Sequence, residues 1–176
     1  DPPKRWLDLY DEDKLSILDG WTETIPAQDE HLTGGGANYF DNSSLDEKSL
    51  RRVMAHYYAT ISHIDAQVEK IIKVLQRRGL DNTIIIYTSD HGEFLGYHHR
   101  LLKGPFLYDP LVRVPLFVTH LGGNDNWRNG TSSALTQTID ITSTILDFAG
   151  IDRPDRMQGM SLRPVLEGQT EHRSNV

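Results

Sequence analysis

Asp90 and His91 are the neighbouring residues with the most chemical content in this 176-residue chain. A carboxylate is a hard oxygen donor and an imidazole a nitrogen donor, so side by side they can face one divalent cation where the backbone bends. Gly92 follows at once and permits such a bend. The same residues also allow a structural reading, with Asp90 capping a helical turn and His91 exposed. Beyond them, Leu95 to Pro105 carries His98, His99, Arg100 and Lys103. A cation and a lysine ammonium on one rim suit a tetrahedral oxyanion such as sulfate or phosphate.

The elements that must hold these groups are legible from periodicity. Thr83 to Thr88 is a run of β-branched and aromatic residues, which predicts a strand buried on both faces. The pair therefore stands at a strand's carboxyl end, where ligands bind in open α/β sheets. Upstream, Val53, Tyr57, Ile61, Ile64, Val68, Ile71 and Leu75 recur at three- and four-residue steps, predicting a long amphipathic helix laid across the sheet. Ser44 and Glu47 have the spacing of a capping box at its start, and Gly79 suits a left-handed cap at its end. His56 and His63 lie two turns apart on this helix without a second ligand beside either, so ordinary hydrogen-bonding roles are expected for both.

Residues 1–43 contain Gly20, Pro26 and Gly34-Gly35-Gly36 and predict a long ordered loop anchored by Trp6, Leu7, Leu9 and Tyr10, with room for a short helix at Leu15 to Leu18. A second strand is expected at Arg113 to Val118, with Arg113 in a structural pair. A third is expected at Ala134 to Ile139, followed by a helix from Ile141 to Ala149 with Asp140 as its cap and Gly150 as its stop. A short helix at Leu162 to Leu166 precedes a tail from Gln169 that is expected to fray.

Composition narrows the classes of function. The net charge of −7 offers no basic footprint for nucleic acid. Cysteine is absent, which removes disulfides, thiolate metal sites and a cysteine nucleophile together. No apolar run reaches the length of a membrane span, and the charged start is not a signal peptide. Localisation stays open.

Four stretches in order carry a family likeness. Asp1-Pro2-Pro3-Lys4-Arg5-Trp6, then Tyr57 to Asp65, then Thr88-Ser89-Asp90-His91-Gly92-Glu93 with Lys103, Tyr108-Asp109 and Arg113-Val114-Pro115-Leu116, and finally Ile139 to Ile151 with Gln158-Gly159-Met160-Ser161-Leu162, resemble the sulfatases of the alkaline phosphatase superfamily. The resemblance implies an α/β fold, part of an alkaline-phosphatase-like sandwich whose central sheet is largely parallel or mixed and is flanked by helices. It implies hydrolysis of a sulfate ester, with Asp90 and His91 as ligands of one divalent cation, usually calcium with manganese or magnesium as alternatives. Lys103 would contact the sulfate, and His98 would line the pocket or face solvent.

The family's nucleophile, a formylglycine made within Cys/Ser-x-Pro-x-Arg, has no counterpart in these residues. The chain therefore reads as the C-terminal portion of a sulfatase catalytic domain, with an irregular rim segment over 1–43, a helix-strand core bearing the metal motif over 44–150 and a closing segment and tail over 151–176. Its expected partners are a sulfate ester and the N-terminal half of the domain, and alone it is expected to be inactive. Many sulfatases carry Asn where His91 stands. The Asp-His form also occurs among phosphonate and phosphodiester hydrolases of the superfamily, which are the alternative reading, as is a non-catalytic truncated module.

Overall fold

The computed structural model describes residues 1–33, 42–123 and 126–174, and the expected Gly34-Gly35-Gly36 turn lies outside them. Two compact units divide the chain, Asp1–Leu121 and Gly122–Val176. The architecture is α/β, an open sheet with flanking helices. Among the described residues no helix is long and apolar enough to cross a membrane.

The first unit is built around a 31-residue helix, α2, Glu47–Arg77. Its cap is Asp46, in extended conformation, whose side chain accepts the Ser49 N–H at 2.7 Å. Ser44 lies instead in a 3-10 turn over Asn42–Ser44. An aspartate one residue from the first helical turn is placed to satisfy its free N–H groups. The end follows expectation: Gly79 takes φ 64°, its N–H donates to Gln76 O and the Leu80 N–H to Leu75 O, so the last carbonyls are satisfied.

Burial on α2 is confined to its first half, at Leu50, Met54, Ala55 and Ala59. Leu50 and Met54 pack with Leu95, and burying each of these side chains stabilises by roughly 1.5–3 kcal/mol. The predicted stripe continues through Ile61, Ile64 and Ile71, but these remain about half exposed because no described element covers them. Instead of lying across the sheet, α2 packs on a short helix, α1, Lys4–Leu7, and on the 3-10 turn Glu12–Lys14. Within the described residues 1–33, the short helix of this segment falls at α1 and not at Leu15 to Leu18. Trp6 stacks on His63 at 6.0 Å, and the Tyr10 hydroxyl meets Ser62 Oγ at 2.6 Å.

Strand β1, Ile84–Thr88, pairs antiparallel with β2, Leu116–His120, in the register Ile86 to Val118. The strand is not buried on both faces: the Tyr87 and Phe117 rings meet across the pair at 6.1 Å, tilted by 56°, on an exposed side. Between the strands lies α3, Asp109–Val112, which ends at Arg113, so β2 starts after Pro115 and not at Arg113. Proline lacks the N–H that a ladder would use.

The second unit holds α4, Ile139–Phe148, and α5, Arg163–Leu166. The strand expected before α4 is absent. No described strand lies beside 134–137, and an unpaired strand leaves its backbone groups without partners. Asp140 is not the cap but the second residue of α4, fully buried. It takes the Gln137 and Met160 N–H groups at 2.9 and 2.8 Å, and it also pairs with Arg173 and His172. The tail is therefore fastened through residues 172–173 where fraying is expected from composition, because a buried carboxylate demands cationic and N–H partners. Gly150 ends α4 at φ 68°, as its position implies.

Candidate active site

The Asp90-His91 turn is pinned from below. Ser89 Oγ donates to His91 O at 2.7 Å, the Gly92 N–H to Leu111 O at 2.8 Å and the Glu93 N–H to Pro110 O at 3.1 Å. Glycine is required at 92 for closeness, not for a left-handed bend: a Cβ there would stand 1.9 Å from Pro110 O. This contact seats the end of β1 against α3.

Three of the four residues singled out from sequence meet here. Lys103 Nζ lies 2.6 Å from His91 Nε2, and Asp90 Oδ2 lies 3.5 Å from the same nitrogen. His91 Nδ1 contacts Gly92 O at 2.8 Å. A carbonyl only accepts and an ammonium only donates, so both contacts require the proton on Nδ1 and the lone pair on Nε2. That is the neutral imidazole a metal ligand needs, with its other nitrogen fixed by a backbone carbonyl. Asp90 is exposed. Desolvation, the largest single influence, raises its carboxyl, but His91, the His91 and Asp90 N–H groups and Lys103 together outweigh it and hold the carboxyl below the ordinary carboxylate range.

Among the described residues no group of three His, Asp or Glu side chains converges for a metal ion. The residue types nevertheless fit a divalent cation, one solvent-open carboxylate and one neutral imidazole beside it; a cation at His91 Nε2 would take the lone pair that here accepts from Lys103, turning the ammonium towards the bound anion.

His98 is elsewhere. It is buried, at 8% exposure, between Tyr97 and Tyr108 with ring centroids 4.2 and 4.8 Å away, and its Nδ1 has no partner. It is not a solvent-facing imidazole, and it makes no hydrogen bond to Asp90, His91 or Lys103. Arg100 lies over the Phe106 ring at 5.5 Å. Arg113 pairs with Asp109 at 3.3 Å, the structural role expected of it.

Two residues to which the sequence assigned no role of their own, Glu93 and Tyr108, shape this region. Glu93, directly after Gly92, accepts the Leu95 N–H at 3.3 Å and also the Leu102 N–H. Tyr108 donates its hydroxyl proton to Asp29 Oδ2 at 2.5 Å, and burial followed by that acceptor pushes its pKa up to about 12. The signal for Glu93 was its adjacency to the metal pair; Asp29, 79 positions from Tyr108, offered none. Beside the loop opens a cleft of about 550 Å³ bordered by Glu93, Leu101, Leu102 and the α2 residues His56, Tyr57 and Thr60.

The sequence profile described as Sulfatase matches residues 12–151. The chain belongs to the sulfatase family. This sulfatase chain is 34% identical over 171 residues to an arylsulfatase of Clostridium perfringens, a match covering 95% of this chain and 34% of that protein. It is 40% identical over 170 residues to an N-acetylglucosamine-6-O-sulfatase of Bacteroides thetaiotaomicron, covering 96% of this chain and 29% of the relative. The crystal structure of a phosphonate monoester hydrolase of Agrobacterium radiobacter superposes with TM-score 0.68 at 32% identity, covering 76% of this chain and 26% of that one. The chain thus spans about a third of the length of the curated relatives it matches. Sulfatases in general employ a metal ion and a formylglycine.

Proposed function

We propose that this chain supplies part of the centre of a sulfuric ester hydrolase. Asp90 and His91 hold one divalent cation, for which calcium is the first candidate given the oxygen donor and the open position. Such a cation polarises an anionic ester and stabilises charge that develops as the ester bond breaks. Lys103 contributes an ammonium to the same anion, which lowers the energy of the more highly charged transition state. His98 belongs to the wall behind the lysine loop, where its ring fills space between two tyrosines. The observation that carries this reading is the convergence of Asp90, His91 and Lys103 about a single imidazole nitrogen.

In the full-length enzyme, Asp90→Ala and Lys103→Ala should each lower sulfate release from an aryl sulfate or glucosamine 6-sulfate by about a hundredfold or more. His56→Ala should leave it nearly unchanged. Equal effects at all three positions would sink the assignment. The isolated chain should show no turnover, since two ligands leave a cation mostly to water.

A phosphonate monoester hydrolase is the second reading, favoured by the Asp-His pair and by the similarity to the Agrobacterium enzyme. Comparing kcat/KM for an aryl sulfate and an aryl phosphonate monoester in the same preparation separates the two.

A further inference from the structure

His91 and Lys103 are 12 residues apart, so the chain between them must be held to one shape for their side chains to meet. That shape runs against local preference. Leu95, His98, His99 and Leu102 have φ of 43, 51, 56 and 65°, a left-handed region that residues with a Cβ seldom adopt. Conformations of this kind persist only where the surroundings over-determine them.

One side chain reaches both ends of the strained segment. Glu93 Oε1 accepts the N–H of Leu95 and the N–H of Leu102, the residue immediately before the lysine. Glu93 is itself tied down by its own N–H to Pro110 O at 3.1 Å. The Phe94 N–H to Leu102 O bond at 2.8 Å runs alongside and closes the same loop. Hydrogen bonds to an ionised carboxylate are roughly twice as strong as neutral ones, and a half-buried acceptor has little water to compete with.

We propose that Glu93 is a positioning residue for Lys103: its carboxylate buckles the 94–102 loop and thereby sets the lysine ammonium against His91 Nε2. The proposal rests on the reading of Lys103 as the anion contact. The Glu93 oxygen that faces the loop, Oε1, is committed to the two backbone N–H groups, and through them the carboxylate acts on the lysine.

The test compares Glu93→Gln, which keeps an acceptor, with Glu93→Ala, which does not. In the 176-residue chain, a nuclear Overhauser contact between the Lys103 side chain and the His91 ring should be present in the wild type and in Glu93→Gln and lost in Glu93→Ala, while the Leu50 and Met54 methyl resonances stay in place. In the full-length enzyme, Glu93→Ala should lower kcat/KM by about tenfold to a hundredfold, as misplacing a catalytic group by an ångström does. Glu93→Gln should stay within about threefold of wild type. Adding Glu93→Ala to Lys103→Ala should cost little further, the non-additivity expected when one residue acts through another. Should Glu93→Ala not fold, Glu93→Leu restores bulk without an acceptor and carries the same comparison.

Persistence of the Lys103 to His91 contact in the acceptor-free variant overturns the proposal, as does full additivity with Lys103→Ala. If the wild-type enzyme cleaves neither sulfate nor phosphonate esters, the catalytic reading fails by itself, and the magnetic resonance comparison still decides the role of Glu93.

Discussion

Asp90 and Asp140 are both carboxylates beside a histidine and a cationic side chain, yet their surroundings are opposite. The Asp90 side chain is 83% exposed, and among the described residues it faces the adjoining His91 and, beyond it, Lys103. Asp140 is 0% exposed and takes two backbone N–H groups, Arg173 and His172. A buried charge with its oxygens fully claimed is committed to structure, since removing any partner leaves an uncompensated ion. An exposed carboxylate with open lone pairs beside an imidazole and an ammonium is accessible to an incoming ligand. The residue types are alike, and accessibility separates clasp from site.

The largest effect that would break this comparison is at the clasp. Asp140→Ala should destabilise residues 122–174 by about 3–5 kcal/mol, seen in urea titration through the Trp127 indole resonance. Asp90→Ala should change stability by no more than about 0.5 kcal/mol while abolishing activity. A large stability loss at Asp90 would make it a second clasp and end the distinction.

Acid sharpens the contrast next. Burial raises the Asp140 carboxyl, but Arg173 and the Met160 and Gln137 N–H groups overcome this and leave it at about 2, against 3.8 ordinarily. A group depressed on folding contributes stability above its unfolded pKa and loses it as pH falls through the folded value. The contribution is therefore about 2 kcal/mol near neutrality and should vanish between about pH 5 and pH 2, a loss that Asp140→Asn should not show. Urea midpoints measured along that range check the sign.

Smaller still is Tyr108→Phe, which keeps the ring against Phe106 and removes one hydrogen bond to Asp29. It should cost about 1 kcal/mol, or more if the Asp29 carboxylate is left dry, in thermal unfolding of the first unit. Smallest is Arg113→Ala. Its pair with Asp109 is exposed on both sides, so a change above about 0.5 kcal/mol would mean the pair does more than its geometry suggests.

Much of the local structure was readable without coordinates because it depends on near neighbours. The left-handed ends of α2 and α4 follow from Gly79 and Gly150, and the long helix from its apolar period. Differences arose where two local signals competed or a distant partner decided. Ser44 has the right spacing for a cap, but Asp46 is nearer the free N–H groups. The Ala134 to Ile139 run has strand composition without a described strand to pair with. The polar tail has a single apolar residue, but Arg173 and His172 find a buried acid that no local rule announces.

By itself the sequence determined the helices with their glycine ends, the family, and the placing of an acid and an imidazole next to one another after a β-branched run, because each of these depends on residue order alone. Only the tertiary structure decided that Lys103 returns to His91, that Gly92 is needed for its closeness to Pro110 and that His98 turns inward. Those outcomes depend on a loop with four left-handed residues, held by Glu93 and packed on α3. Local propensity opposes such a shape, so long-range contacts must supply it.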